Sequence, residues 1–294
     1  MRILSIIVLA LSLAITTALA EQQLVADTEI EKIENGLYHF RDSGYSSLIV
    51  IGKDSVLVTD PGFNERAIRM RSEISKLTAS PVRYVALTHE HYDHVGGTRI
   101  FGEAKVACAS GCSDFFKMSA LMDVPEVSLS FDDELRLDVG GVLVRMVHVA
   151  PGDGMGTAFI HVPTEGVIFS ADMYMPREFT FAKFKEGTNY VGALLNLEAM
   201  AALKPRYAIT AHAPGNTVKS LRENAKMYRK LHDLVLTEYQ KVMDKKSGAV
   251  KPGIPLLFEL PNVIRMDEYK DWKNYDKYFP AYVRRMAFSI FHGW

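Results

Sequence analysis

The sequence predicts a mixed α/β fold in which two β-sheets lie face to face with helices outside them. Three observations carry that prediction. Short apolar runs of strand length recur through much of the chain, amphipathic runs of helical period interrupt them, and no internal repeat of about 20 to 50 residues links them into a solenoid. With 294 residues and 48% hydrophobic composition, the chain can bury a large core, which suits one domain plus an extension.

The elements follow in order. Leu37 to Asp60 alternates strand-like runs with turns: Leu48 to Ile51, the Gly52-Lys53-Asp54 turn, then Ser55 to Thr59. This reads as an antiparallel hairpin that ends in Asp60-Pro61-Gly62. A helix is expected from Asn64 to Leu77, with Ala67, Met70, Ile74 and Leu77 on one face. Val82 to Leu87 reads as a buried strand, and Lys105 to Ala109 as the next. Strands resume at Val127 to Leu129, Glu134 to Leu137 and Val142 to Val149, with Asp138-Val139-Gly140-Gly141 as a hairpin turn. Ala158 to Val162 and Val167 to Phe169 flank another turn, and the second of these runs into Ser170-Ala171-Asp172. Residues 176 to 190 read as a loop. Val191 to Leu203 reads as a helix burying Leu194, Leu195, Met200 and Leu203, and Tyr207 to Thr210 is a short strand that delivers His212. A long amphipathic helix begins near Asn216 and stops near Lys246-Ser247-Gly248.

The two ends of the chain differ from this pattern. Arg2, the apolar run Ile3 to Ile15 and Ala18-Leu19-Ala20 have the layout of a secretory signal peptide, residues 1 to 20. A membrane anchor needs about 20 apolar residues. Export to the periplasm or medium is therefore expected, with no membrane anchor after processing. The domain then spans 21 to 247, and 248 to 294 is an aromatic-rich C-terminal extension that includes Tyr269, Trp272, Tyr275, Tyr278, Phe279 and Tyr282. The extension is expected to pack on the domain or to join a second copy as a homo-oligomer. A formal charge of -1 with no basic stripe gives no case for nucleic acid. Cys108 and Cys112 are the only cysteines, and their spacing leaves a local bridge and two free thiols equally open.

The chemistry concentrates in Thr88-His89-Glu90-His91-Tyr92-Asp93-His94-Val95-Gly96-Gly97, three imidazoles and two carboxylates within six positions. Such a cluster is costly to desolvate unless it binds metal. Glu90 and Tyr92, lying between ligands, should point away from the metal, and the two glycines should permit close backbone approach. A zincin helix is excluded, since Glu90 is followed three positions on by Asp93 instead of His. Further acids and a histidine recur at strand ends: Asp60, Asp153, Asp172 and His212. A pair of divalent ions about 3.5 to 4 Å apart requires such a distributed set.

Thr88 to Gly97 resembles the HxHxDH signature of the metallo-β-lactamase superfamily. Asp60-Pro61-Gly62, the Pro151-Gly152 turn, Ser170-Ala171-Asp172 and Ala211-His212 follow in that family's order, so the resemblance covers about residues 30 to 245. It implies a four-layer αββα sandwich with the C-terminal extension added. It also implies one or two divalent metal ions, zinc first, with manganese or iron(II) as alternatives. By the resemblance, His89 and His91 hold the first metal, Asp93, His94 and His212 the second, and Asp172 bridges them or joins the second. Asp60 orients ligands through hydrogen bonds. A diiron redox branch of the fold usually has Glu where His91 stands and carries a flavin domain, and this chain has neither.

One position departs from the pattern: Asp153 stands where relatives usually have His. A carboxylate there can ligate directly or through water and shifts preference toward harder ions, while His148 and His161 are rivals within expected strands. Tyr174, Lys185 and Tyr190 are expected at the cleft mouth, against a small-molecule substrate. The activity implied is an exported metal-dependent hydrolase, in which a metal-bound hydroxide attacks a carbonyl or phosphorus centre of an ester, lactone or β-lactam and Asp93 or a bound water passes a proton to the leaving group. The alternative is a weakly catalytic or non-catalytic binder of metal or ligand on the same fold, motivated by Asp153.

Overall fold

A computed structural model describes residues 28–119, 124–180, 187–243 and 253–293. The expected leader, Lys185 and the end of the long helix near residues 246 to 248 lie outside the described residues.

The first sheet holds seven strands in chain order: β1 (Glu29–Glu34), β2 (Leu37–Asp42), β3 (Tyr45–Ile51), β4 (Val56–Thr59), β5 (Val82–Ala86), β6 (Lys105–Ala109) and β7 (Val127–Phe131). Its first four strands are antiparallel hairpin neighbours, and from β4 to β7 the pairing is parallel. The second sheet has five strands: β8 (Glu134–Val139), β9 (Val142–Val147), β10 (Phe159–Val162), β11 (Val167–Ser170) and β12 (Tyr207–Thr210). Its order is β12-β11-β10-β9-β8, antiparallel except for the β11/β12 pair. Parallel neighbours need crossovers. Helix α1 (Asn64–Leu77) supplies the one between β4 and β5, and α4 (Tyr190–Ala202) the one between β11 and β12.

Strand alternation sorts the side chains into layers. Leu48 and Val50 of β3 face Val167 and Phe169 of β11 in the core between the sheets, while Ile49 turns outward onto Ala67, Met70 and Ile74 of α1. Ile168 turns outward from the second sheet, onto α4, α5 (Val218–Met243), α6 (Gly253–Val263) and α7 (Tyr275–His292). The αββα sandwich is therefore present. The expected helical faces need two corrections. Leu77 is 41% exposed and Arg66 is buried in α1, while in α4 Leu197 is buried and Leu195 and Leu203 face solvent. Both Leu77 and Leu203 sit at the C-terminal ends of their helices.

The C-terminal extension is helical and faces inward. Trp272, Tyr275, Phe279 and Tyr282 are buried around Phe179, with ring centroids 5.0 to 5.6 Å from it. Each such side chain contributes about 1.5–3 kcal/mol by burial, so the extension is part of the domain's own core. Cys108 and Cys112 form a disulfide at the start of α3 (Ser110–Met118). No helix among the described residues is long and apolar enough to cross a membrane.

Candidate metal centre

The parallel pairs aim their C-terminal ends the same way, and those ends deliver the polar side chains. Asp60 follows β4, Thr88 and His89 follow β5, Asp172 follows β11 and His212 follows β12. Two backbone bonds tie the sheets together at that edge: Ser46 N–H donates to the Ala211 carbonyl at 2.6 Å, and Ala158 N–H to the Thr88 carbonyl at 2.7 Å. The short helix α2 (Tyr92–Val95) then turns Asp93 and His94 back toward the site. Gly97 must be glycine here, because a Cβ would lie 2.6 Å from that of Ala67 and 2.8 Å from the Phe63 carbonyl oxygen.

Two four-residue clusters result. His89, His91, Asp153 and Asp172 each offer a ligand atom within 4.8 Å of the others, and so do Asp93, His94, Asp172 and His212. Asp172 belongs to both: its Oδ2 lies 3.2 Å from His94 Nε2 and its Oδ1 lies 2.9 Å from His212 Nε2. Asp153 Oδ2 stands 3.5 Å from His91 Nδ1 and 4.0 Å from His89 Nε2. Asp93 Oδ2 is 3.6 Å from His94 Nε2. His89, His91, Asp93, His94, Asp153, Asp172 and His212 are thus brought to one place.

The hydrogen bonds beneath fix how these groups present themselves. Asp60 accepts from the Thr88 amide at 2.8 Å and from the Thr88 hydroxyl at 2.6 Å. That hydroxyl has one hydrogen. Its 3.1 Å contact with His89 Nδ1 must therefore run the other way, with Nδ1–H donating to Thr88 Oγ1. The relay leaves His89 Nε2 as a bare lone pair, in a side chain 2% exposed and with no hydrogen-bond partner. Burial, and then the neighbouring His94 and His91, hold this imidazole's pKa down at about 4, so it is neutral. A buried, neutral nitrogen without a partner beside two carboxylates is the donor set a divalent cation satisfies. Burial opposes charge on His94 as well, but the Asp172 and Asp60 carboxylates outweigh it and raise its pKa well above the ordinary histidine value.

Several supporting residues were not evident from sequence. Glu90 does point away from the ligands, yet it is not mere packing: its carboxylate accepts from the amides of Met155 at 2.6 Å and Gly156 at 3.1 Å, clamping the turn that carries Asp153. Arg66, 1% exposed, donates to the carbonyls of Asp60 and Pro61, each at 3.1 Å, and holds the loop in which Asp60 adopts φ 36°. Tyr45 donates to Asp93 Oδ2 at 3.1 Å with its ring edge-on to His212, and burial, then Asp93, push its phenol up to about 12. No motif announces these three, because each acts through a fold-dependent contact.

Tyr174 and Tyr190, expected at the cleft mouth, are instead core residues at 4% and 1% exposure. Tyr174 bonds to Thr217 at 2.7 Å and Tyr190 packs on Tyr228 and Tyr282. Both point to the helical layer behind the second sheet. Tyr92 is 48% exposed, with its ring 6.1 Å from that of Phe63. His148 bonds the Thr157 carbonyl at 2.7 Å and His161 sits beside Arg145, so neither enters the first cluster.

Residues 40–212 match the profile of the metallo-β-lactamase superfamily. This chain belongs to that superfamily. None of the curated proteins matches the sequence. Among solved structures, a metallo-β-lactamase from Pontibacter korlensis is 15% identical and superposes with a TM-score of 0.60, covering 69% of this chain and 99% of its own. One from Erythrobacter litoralis is 14% identical with a TM-score of 0.58, covering 70% and 97%. The inverting sec-alkylsulfatase Pisa1 from Pseudomonas sp. is 15% identical with a TM-score of 0.68, covering 91% of this chain, which spans 50% of that protein. At such identities the likeness is one of fold. The metallo-β-lactamase superfamily typically binds divalent metals, and the clusters of this member can hold them.

Proposed function

We propose that this protein is an exported hydrolase that binds two divalent ions, zinc first, and cleaves an ester, lactone or β-lactam. The observation that carries the reading is His89 Nε2, a bare nitrogen buried without a partner where two carboxylates converge. His89, His91 and Asp153 would hold one ion, Asp93, His94 and His212 the other, and Asp172 both. Ions held there would lower the pKa of bound water and polarise the scissile group. The protein's own residues do the rest. Asp60 and Thr88 fix the His89 tautomer, and Tyr45 remains a protonated donor that steadies Asp93. Asp93 would pass a proton to the leaving group, a role that its 36% exposed side chain supports. The apolar leader at residues 1 to 20 supports export to the periplasm or medium.

The alternative reading, a weakly catalytic metal or ligand binder, draws on Asp153 in the position of the usual His. Metal analysis together with a hydrolysis panel decides between them. The panel takes carboxylic esters, lactones, β-lactams and phosphodiesters, and adds alkyl sulfates because an alkylsulfatase shares the fold over 91% of this chain. About two ions per chain and a turnover lost in His91→Ala support the hydrolase. One ion or none, with silence on every substrate, overturns it.

A further inference from the structure

We propose that the C-terminal helix α7 builds the first metal pocket, acting through Thr188 as the positioning residue for Asp153. The inference rests on Asp153 being a metal ligand, as in the function proposed above.

The two oxygens of Asp153 face different ways. Oδ2 turns to His91 and His89, at 3.5 and 4.0 Å, while Oδ1 accepts the hydroxyl of Thr188. A carboxylate on a short stem can rotate about its last torsion, and a proton donor on one oxygen removes that freedom. Thr188 thus engages Oδ1 and leaves Oδ2 turned to the imidazoles. It is 3% exposed and Asp153 is 8% exposed, so water does not compete for the bond.

Thr188 is itself held from the far side. Its carbonyl accepts from Arg285 Nε, and the Gly187 carbonyl lies 3.3 Å from Arg285 Nη2. The amide of Tyr190 donates to Ser289 Oγ at 2.9 Å, and Ser289 is 1% exposed. Both Arg285 and Ser289 project from α7, which its aromatic face seats on the domain. On the near side, Asn189 N–H donates to the Gly152 carbonyl at 2.8 Å, directly before Asp153. At Gly192 a Cβ would overlap the Pro151 carbonyl, so α4 presses on the same turn. Residues 187–190 are therefore clamped between the ligand turn and α7. An aspartate is shorter than a histidine, and this clamp is the means by which the turn is set close enough for it to serve.

The test measures ion affinity on the full-length mature protein by zinc competition against a chromophoric chelator, and reads the cobalt-substituted spectrum. Thr188→Val removes the hydroxyl at constant shape. It should weaken the first ion about ten- to a hundredfold, the range for loss of a hydrogen bond behind a ligand, and alter the cobalt bands, with the second ion unchanged. Thr188→Ser should restore both readouts, and Arg285→Gln should give a smaller loss in the same direction. Asp153→Ala should lose the first ion outright. If Thr188→Val binds both ions as tightly as the parent while Asp153→Ala loses one, α7 has no positioning role and the inference falls while the ligand assignment stands. If Asp153→Ala keeps both ions, the ligand assignment fails and the inference with it. A loss in Thr188→Val that Ser does not rescue also overturns it, since that pattern marks a packing defect.

Discussion

His89 and His39 share most of what can be measured of a histidine and differ in what surrounds them. Both are buried, at 2% and 3% exposure, both leave Nε2 without a hydrogen-bond partner, and both are pushed down to a pKa of about 4. His39 lies against Tyr207 at the start of β12, whereas the His89 cluster includes Asp172, just past the end of the neighbouring β11. After burial, the causes at His39 are Arg41 and Arg66, two cations. At His89 they are other imidazoles, opposed by Asp172 and Asp153. An orphaned buried nitrogen is therefore not by itself a metal ligand. Converging carboxylates make the difference, because they supply the negative charge that a divalent ion neutralises.

Removing the shared carboxylate should break the contrast most severely. Asp172→Ala takes a ligand from both clusters at once, so hydrolysis should fall by more than the ten- to hundredfold typical of a residue behind the ligands. Bound metal measured after dialysis should fall with it. Zinc added at about a hundred times its dissociation constant should stabilise the parent by about 2.7 kcal/mol, and His39→Leu equally, but not Asp172→Ala. Thermal unfolding with and without zinc checks this. Equal stabilisation of all three proteins would show that the ion binds elsewhere.

Next in size is Arg66→Met. Arg66 also donates to the Tyr45 carbonyl and the Ser47 hydroxyl, and its guanidinium lies 5.0 Å from the Phe40 ring centroid. Methionine fills the volume but strands several buried acceptors, which should cost about 3 kcal/mol of stability. Denaturant unfolding measures it. A cost below about 1 kcal/mol would mean that the Asp60 loop keeps its shape unaided.

How much of this was legible beforehand follows the range of each interaction. The ligands of the second cluster lie in one contiguous motif and at two strand ends, and strand ends announce themselves through apolar runs, so Asp93, His94, Asp172 and His212 could be named together. Helix α1 was legible because its apolar stripe is local. The edge strand β1, with the sequence Glu29-Ile30-Glu31-Lys32-Ile33-Glu34, has no alternation of period two, and charge suits an exposed edge. The helices of the extension were hidden by Pro261 and Pro280 within them. Thr188 and Arg285 stand 97 residues apart, and nothing short of the folded chain pairs them. Tyr174 and Tyr190 were misplaced for the same reason: closeness in sequence to a strand end does not say which side of the sheet a ring enters.

The acid limb of stability should trace to His39. Its folded pKa of about 4 lies below the ordinary 6.5, so the unfolded chain takes up the proton first as pH falls. The contribution is fully present above pH 6.5 and is lost on acidification toward pH 4. At about 1.36 kcal/mol per unit the loss is at most about 3 kcal/mol. His39→Leu should flatten the curve of unfolding free energy against pH in that window, measured at saturating zinc so that the ligand histidines do not titrate. An unchanged slope would assign the acid limb to other groups and remove half of the comparison with His89.

Tyr45→Phe is the finest probe. Its hydroxyl donates to Asp93 Oδ2 without touching the first cluster, and the ring's edge contacts with His94 and His212 survive the change. One hydrogen bond to a charged acceptor is worth about 1.5–3 kcal/mol at most, and less at a carboxylate partly open to water. Turnover should drop about three- to tenfold, with both ions retained. If the second ion is lost instead, Tyr45 holds a ligand in place and does not tune a proton carrier. That outcome would give the second cluster the dependence on an outer hydrogen bond that Thr188 gives the first.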